Sequence, residues 1–193
     1  MKAKFSIFQI CMIALSVVLN IVGGQIALLL RLPIYLDSIG TIFTGAVYGP
    51  VLAMLPSLLS GLILGVTSDI YSLYYAPVGI LLGLLSSLVW KKRSSKASWP
   101  FLAAFVITIP TSLCSASITA ALFGGITSSG SSILVQLLAK TPLGLTMSCF
   151  IVQVMTDYLD RLLSIIIVLA LLKRLPKSML HKINPALKED KDI

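Results

Sequence analysis

Charge is what this 193-residue chain has least of. Only 11% of its residues are Asp, Glu, Lys or Arg, against about 25% in a soluble domain. The few charges also cluster, and none falls within 5–30, 38–68, 70–90 or 97–139. An apolar stretch of about 18 or more residues is a transmembrane-helix candidate, and two of these gaps are long enough for more than one pass. With 57% hydrophobic residues and a mean hydropathy of +1.00, a soluble core is excluded. The chain reads as a polytopic membrane protein.

Histidine is nearly absent as well. The single one, His181, lies in the basic C-terminal tail, which removes an HExxH metal site and a Ser-His-Asp triad; a nucleophile elbow and a Walker A loop are also missing. The three cysteines, Cys11, Cys114 and Cys149, all fall in apolar segments, with no CxxC. Neither a disulfide framework nor a metal site is indicated. Asp157 and Asp160 form a lone DxxD without a third ligand, a weak basis for metal-assisted catalysis. No enzymatic activity, cofactor or metal is expected, and a membrane-embedded enzyme is the lesser alternative. No inverted repeat of the kind that builds secondary transporters is apparent.

The charges that are present are informative by position. The net charge is +8, carried at Lys2 and Lys4, at Lys91, Lys92, Arg93 and Lys96, and from Lys173 to Lys191. Cytoplasmic loops collect Lys and Arg, so both termini and 91–98 are expected inside and nucleic acid is not an expected partner. Phe5 to Leu30 exceeds the ~7–15-residue apolar core of a signal peptide and reads as a retained first helix.

Six membrane helices are expected, making an all-α bundle over 1–178 with a charged cytoplasmic tail at 179–193. They fall at roughly 5–30, 37–49, 50–67, 76–90, 100–123, and from Gln153 or Val154 to Lys173-Arg174. The last start follows from counting back about 20 residues for one crossing. Asp37 is placed as a helix N-cap and Pro56 as a kink. Gly45/Gly49, Gly61/Gly65 and Gly79/Gly83 are GxxxG pairs of the kind that lets helices approach closely in lipid. The TSLCSAS run at 111–117 reads mainly as a packing face.

The three connections opposite the basic loop, 31–37, 67–76 and 124 to about 150, carry a polar and aromatic set. It comprises Arg31, Tyr35 and Asp37, then Asp69, Tyr71, Tyr74 and Tyr75, then Lys140, with Gln153, Asp157, Asp160 and Arg161 on the last helix. Singly these have plain readings: a cap, an interfacial tyrosine belt, and an i,i+4 ion pair between Asp157 and Arg161. Together they describe a cavity for a polar, ring-containing solute, because ionisable residues within a span usually face an interior.

The stretches YLDSIGTIFTGAVYGPVLAMLPSLLSGLI (35–63), YAPVGILLGLL (75–85) and DYLDRLLSIIIVLALLKRLPK (157–177) resemble the substrate-binding S components of energy-coupling-factor (ECF) vitamin transporters. The resemblance covers roughly 5–178. It implies a six-helix subunit of the cell membrane that captures a water-soluble vitamin near the outer face. It also implies partners: a membrane coupling subunit and, through it, two cytoplasmic ATPases. The family's docking surface is a run of small residues on helix 1. The matching segment here, CMIALSVVLNIVGG, supplies Ala14 and Ser16 but has Val18 where the small-residue pattern would continue. Riboflavin, a vitamin B6 form, cobalamin and pantothenate all remain open as substrates. A membrane scaffold or assembly protein without a solute is the rival class.

Overall fold

The computed structural model describes residues 6–176, and among them every regular element is a helix. The N-terminal basic residues and the 179–193 tail with His181 lie outside the described residues. In chain order the helices are α1 (Ile7–Leu29), α2 (Ile39–Tyr48), α3 (Pro50–Thr67), α4 (Tyr71–Tyr74), α5 (Ala76–Lys91), α6 (Trp99–Phe123), α7 (Ser131–Leu138) and α8 (Gly144–Arg174). The all-α class expected from the sequence is the class observed.

Helices α1, α3 and α6 are long and apolar enough to cross a bilayer, and the chain is accordingly a membrane protein. Helices α2 and α5 are apolar but shorter, at 10 and 16 residues. A 10-residue helix rises only about 15 Å, half of a ~30 Å hydrocarbon core.

Local chemistry explains several boundaries. Ser6 opens α1 with a capping box, its hydroxyl accepting from the Phe8 amide while the Gln9 side chain accepts from the Ser6 amide. Proline occupies the first turn of α3, α5 and α6, where its missing N–H costs nothing. Gly49 joins α2 to α3 at φ 89, a left-handed conformation that favours glycine.

Two boundaries differ from expectation. Ser38, not Asp37, is the residue before α2, and it makes no side-chain cap bond; its hydroxyl is committed to α8 instead. The last helix starts at Gly144, about ten residues before the expected point, and runs for 31 residues. A span-length count assumes that a helix stops where the bilayer does. Nothing between Gly144 and Gln153 breaks the helix, and buried positions recur at i+4, about one per turn, from Ser148 through Val152, Thr156, Asp160, Ser164 and Val168 to Leu172. Asp157, Asp160 and Arg161 therefore sit near the middle of α8, not at its end.

Small residues set the packing distances. A Cβ on Gly83 would lie 2.5 Å from the Ala53 carbonyl oxygen, so α5 and α3 touch backbone to backbone there. Helix α6 packs on α8 and α5, and its buried positions include the small residues Ala103, Ala104, Thr108, Thr111, Ser112, Ser115 and Ala116, a composition of the kind that drives helix association in lipid. Thr111, Ser112 and Ala116 are buried in keeping with the packing reading of 111–117, Ser112 has a polar task besides, and Ser115 borders the cavity described below.

The main apolar core lies toward the 91–99 connection. Phe43, Val47, Trp90, Trp99, Ile107, Ile165, Val168 and Leu172 are buried together. Trp90 and Trp99 meet edge to face at 5.0 Å, with the Arg93 guanidinium 5.5 Å from the Trp90 ring. The opposite half of the bundle is built differently.

Candidate functional site

At that opposite end three connections converge. The segment 30–38 carries two residues with positive φ that are not glycine, Arg31 (φ 50) and Leu36 (φ 54), an uncommon conformation for side chains of this size. Contacts hold it there. A Cβ on Gly130 would lie 2.2 Å from the Arg31 carbonyl oxygen, and one on Gly23 would lie 1.9 Å from that of Leu36. The segment is thus wedged between α1 and the third connection, with the Tyr35 hydroxyl 3.5 Å from that of Ser131. From the second connection, Tyr71 and Tyr74 meet Phe123 edge-on at 4.8 and 5.3 Å.

Beneath this cover is a cavity of about 120 Å³ with walls from α1, α3, α4, α5, α6 and α8. One buried water needs about 10–15 Å³ on the same measure, so there is room for a solute several times larger. Its lining is mixed. Leu28, Leu32, Ile34, Leu64, Val78 and Leu82 are apolar; Tyr35, Tyr71 and Tyr75 are aromatic; Ser57, Ser60, Ser115 and Ser129 carry hydroxyls; Asp37, Asp69, Asp157 and Arg161 are ionisable.

The floor is organised by α8. Asp160 is fully buried and accepts three hydrogen bonds: from the Leu36 amide at 2.7 Å, from the Ser38 hydroxyl at 2.7 Å, and from the neighbouring Arg161 guanidinium. It holds the strained end of the first connection onto α8, the situation in which an unfavourable φ persists. Asp157, one turn earlier, accepts from the Ser112 hydroxyl at 2.7 Å and faces the cavity. The expected Asp157–Arg161 pair is replaced by Asp160–Arg161, because Asp157 is drawn to Ser112 on α6. Asp37 stands above them in the loop. Its carboxyl is pushed up to about 6, chiefly by burial and next by the Asp160 charge, with Arg161 opposing. The Tyr35 phenol in the same loop is pushed up to about 12, again chiefly by burial, and stays protonated.

Of the residues singled out in the sequence, Tyr35, Asp37, Asp69, Tyr71, Tyr75, Asp157 and Arg161 line this one cavity. The others do not. Tyr74 is 49% exposed and packs on Phe123 outside it. Lys140 is exposed on a separate shallow groove beside α7. Asp160 lies behind the wall. Gln153 is also behind it, donating at 2.6 Å to the Thr119 hydroxyl, which in turn lies 2.6 Å from that of Tyr75. Asp69 is partly engaged by the Ser72 hydroxyl at 3.0 Å. On α1, Ala14 is exposed but Ser16 is buried against Thr44 of α2, so Ser16 has no part in an outward docking face. Ser57, Ser60 and Ser115 were missed because a serine on a transmembrane helix has the same appearance whether it packs or lines a cavity. Arg161 was noticed but assigned to an ion pair; its place one turn after Asp157 was the available signal.

No family model, curated protein or solved structure matches this chain.

Proposed function

We propose that this chain is a substrate-binding membrane subunit of the ECF type, taking up a water-soluble, vitamin-like solute in the cavity under its three connections. The supporting observation is the cavity itself, where aromatic, hydroxyl and carboxylate groups meet in one open space apart from the main apolar core. Small-molecule sites combine an apolar wall with a few placed polar groups, as this one does. Its volume favours a single-ring solute over a corrinoid such as cobalamin. In this reading the chain has no catalytic activity, and its concentrating power comes from a coupling subunit and two ATPases.

Calorimetry with the solute that co-purifies tests the site. Asp157→Asn removes a charge that faces the cavity while keeping the shape. Leaving a buried partner unsatisfied costs about 1–3 kcal/mol, and each 1.4 kcal/mol is about tenfold in affinity, so the expected loss is roughly 5- to 150-fold. Tyr74→Ala, outside the cavity, is expected to leave affinity within twofold. The assignment is wrong if Asp157→Asn binds as wild type does, or if Tyr74→Ala is the variant that fails.

Two further outcomes follow from the same reading. A bulky residue at exposed Ala14, such as Ala14→Trp, is expected to weaken complex formation with the coupling subunit while solute affinity stays unchanged; co-purification of the two subunits measures it. For orientation, a cysteine at Ser94 on a Cys-free background is expected to resist an impermeant maleimide in intact cells and to react after lysis. Labelling in intact cells would reverse the topology.

A further inference from the structure

Resting on that binding reading, we propose that the solute is an organic cation, an amine on a ring or short apolar body with a hydrogen-bond acceptor beside it. The cavity is lined by three carboxylates, Asp37, Asp69 and Asp157, and by one guanidinium, Arg161. Among the described residues the sole ion pair is Arg161 with Asp160, which uses that positive charge behind the wall. Asp37 and Asp157 make no ion pair and share only the field of that one guanidinium, so the cavity holds more carboxylates than cations. Carboxylates removed from water are costly unless an opposite charge joins them, and the space in front of these two is open.

A second observation points the same way from a different atom. Arg161 is 5% exposed and lines the cavity, yet its Nε–H has no partner. A buried donor on a cavity wall calls for an acceptor on the occupant, such as a ring nitrogen or a hydroxyl oxygen. A chelated metal ion would answer neither need, because no three His, Cys, Asp or Glu among the described residues are grouped to hold one. The tyrosine rings of the lining suit an organic cation, which is attracted to aromatic faces. Carboxylate solutes such as pantothenate are disfavoured by the same charges.

Three probes share a pyridine ring and its acceptor nitrogen and differ in charge: 3-(aminomethyl)pyridine, 3-pyridinemethanol and nicotinate. Binding of each to the full-length chain in lipid nanodiscs, by equilibrium dialysis at pH 7, separates the possibilities. The amine is expected to bind at least tenfold more tightly than the other two. That preference should fall below threefold in Asp157→Asn, or in Asp37→Asn if the first variant does not fold, with melting temperature as the folding control. Equal or tighter binding of the alcohol or nicotinate overturns the charge assignment and leaves the cavity reading standing. A preference that survives both substitutions overturns it too, by placing the amine elsewhere. Failure of all three probes to bind contradicts both readings.

Discussion

Asp160→Ala is expected to be the most damaging single substitution in the bundle, lowering stability by about 3–5 kcal/mol, the range for removing one partner of a buried ion pair. Total stabilities run to only about 5–15 kcal/mol, so much of the protein should be lost as aggregate. The cause is threefold. The Arg161 guanidinium is left buried without its counter-charge, the Leu36 amide and Ser38 hydroxyl lose their acceptor, and the strained first connection loses its tether to α8. Thermal unfolding in detergent measures the effect. Asp160→Asn keeps an acceptor but not the charge and should fall between wild type and Asp160→Ala. Replacing both members, as in Asp160→Leu with Arg161→Met, should recover part of the loss, because an apolar pair leaves no orphan charge. If Asp160→Ala melts within a degree or two of wild type, the tether is not structural.

Uptake is the second large effect, and it is close to all-or-none. Liposomes holding the purified chain alone are expected to bind the solute without accumulating it. Accumulation against a gradient should require the coupling subunit, both ATPases and internal access of ATP to them. The sequence holds no phosphate-binding loop, and among the described helices only α8 carries charged residues in mid-helix, with Asp160 and Arg161 paired to each other and Asp157 bonded to Ser112. Concentrative uptake by the chain alone would remove the ECF reading, whatever the cavity binds.

Much of the fold was legible because membrane helices announce themselves by uncharged length. Helices α1, α3 and α6 lie within two residues of where the charge-free gaps and prolines put them. The start of α8 was not legible in this way. Its first ten residues, GLTMSCFIVQ, are uncharged and unbroken, and only the periodicity of its buried face shows that they belong to the same helix. The site was legible as a set of residues and illegible as a geometry. Asp37, Asp157 and Asp160 look alike in sequence, yet a turn of helix decides that one carboxylate faces a cavity and another anchors a loop. The serines gave no signal, since the same residue type packs α6 on α8 and lines the cavity wall.

Native mass spectrometry of the chain tests the central claim most directly. Wild-type protein, incubated in lipid nanodiscs with a mixture of water-soluble vitamins and small amines, is compared with Ala27→Phe, which fills the cavity from the α1 wall where Ala27 is buried. The account predicts one small solute per wild-type chain and none on the variant at an unchanged melting temperature. A wild-type chain that carries no solute, or a solute retained equally by a folded Ala27→Phe, would contradict it.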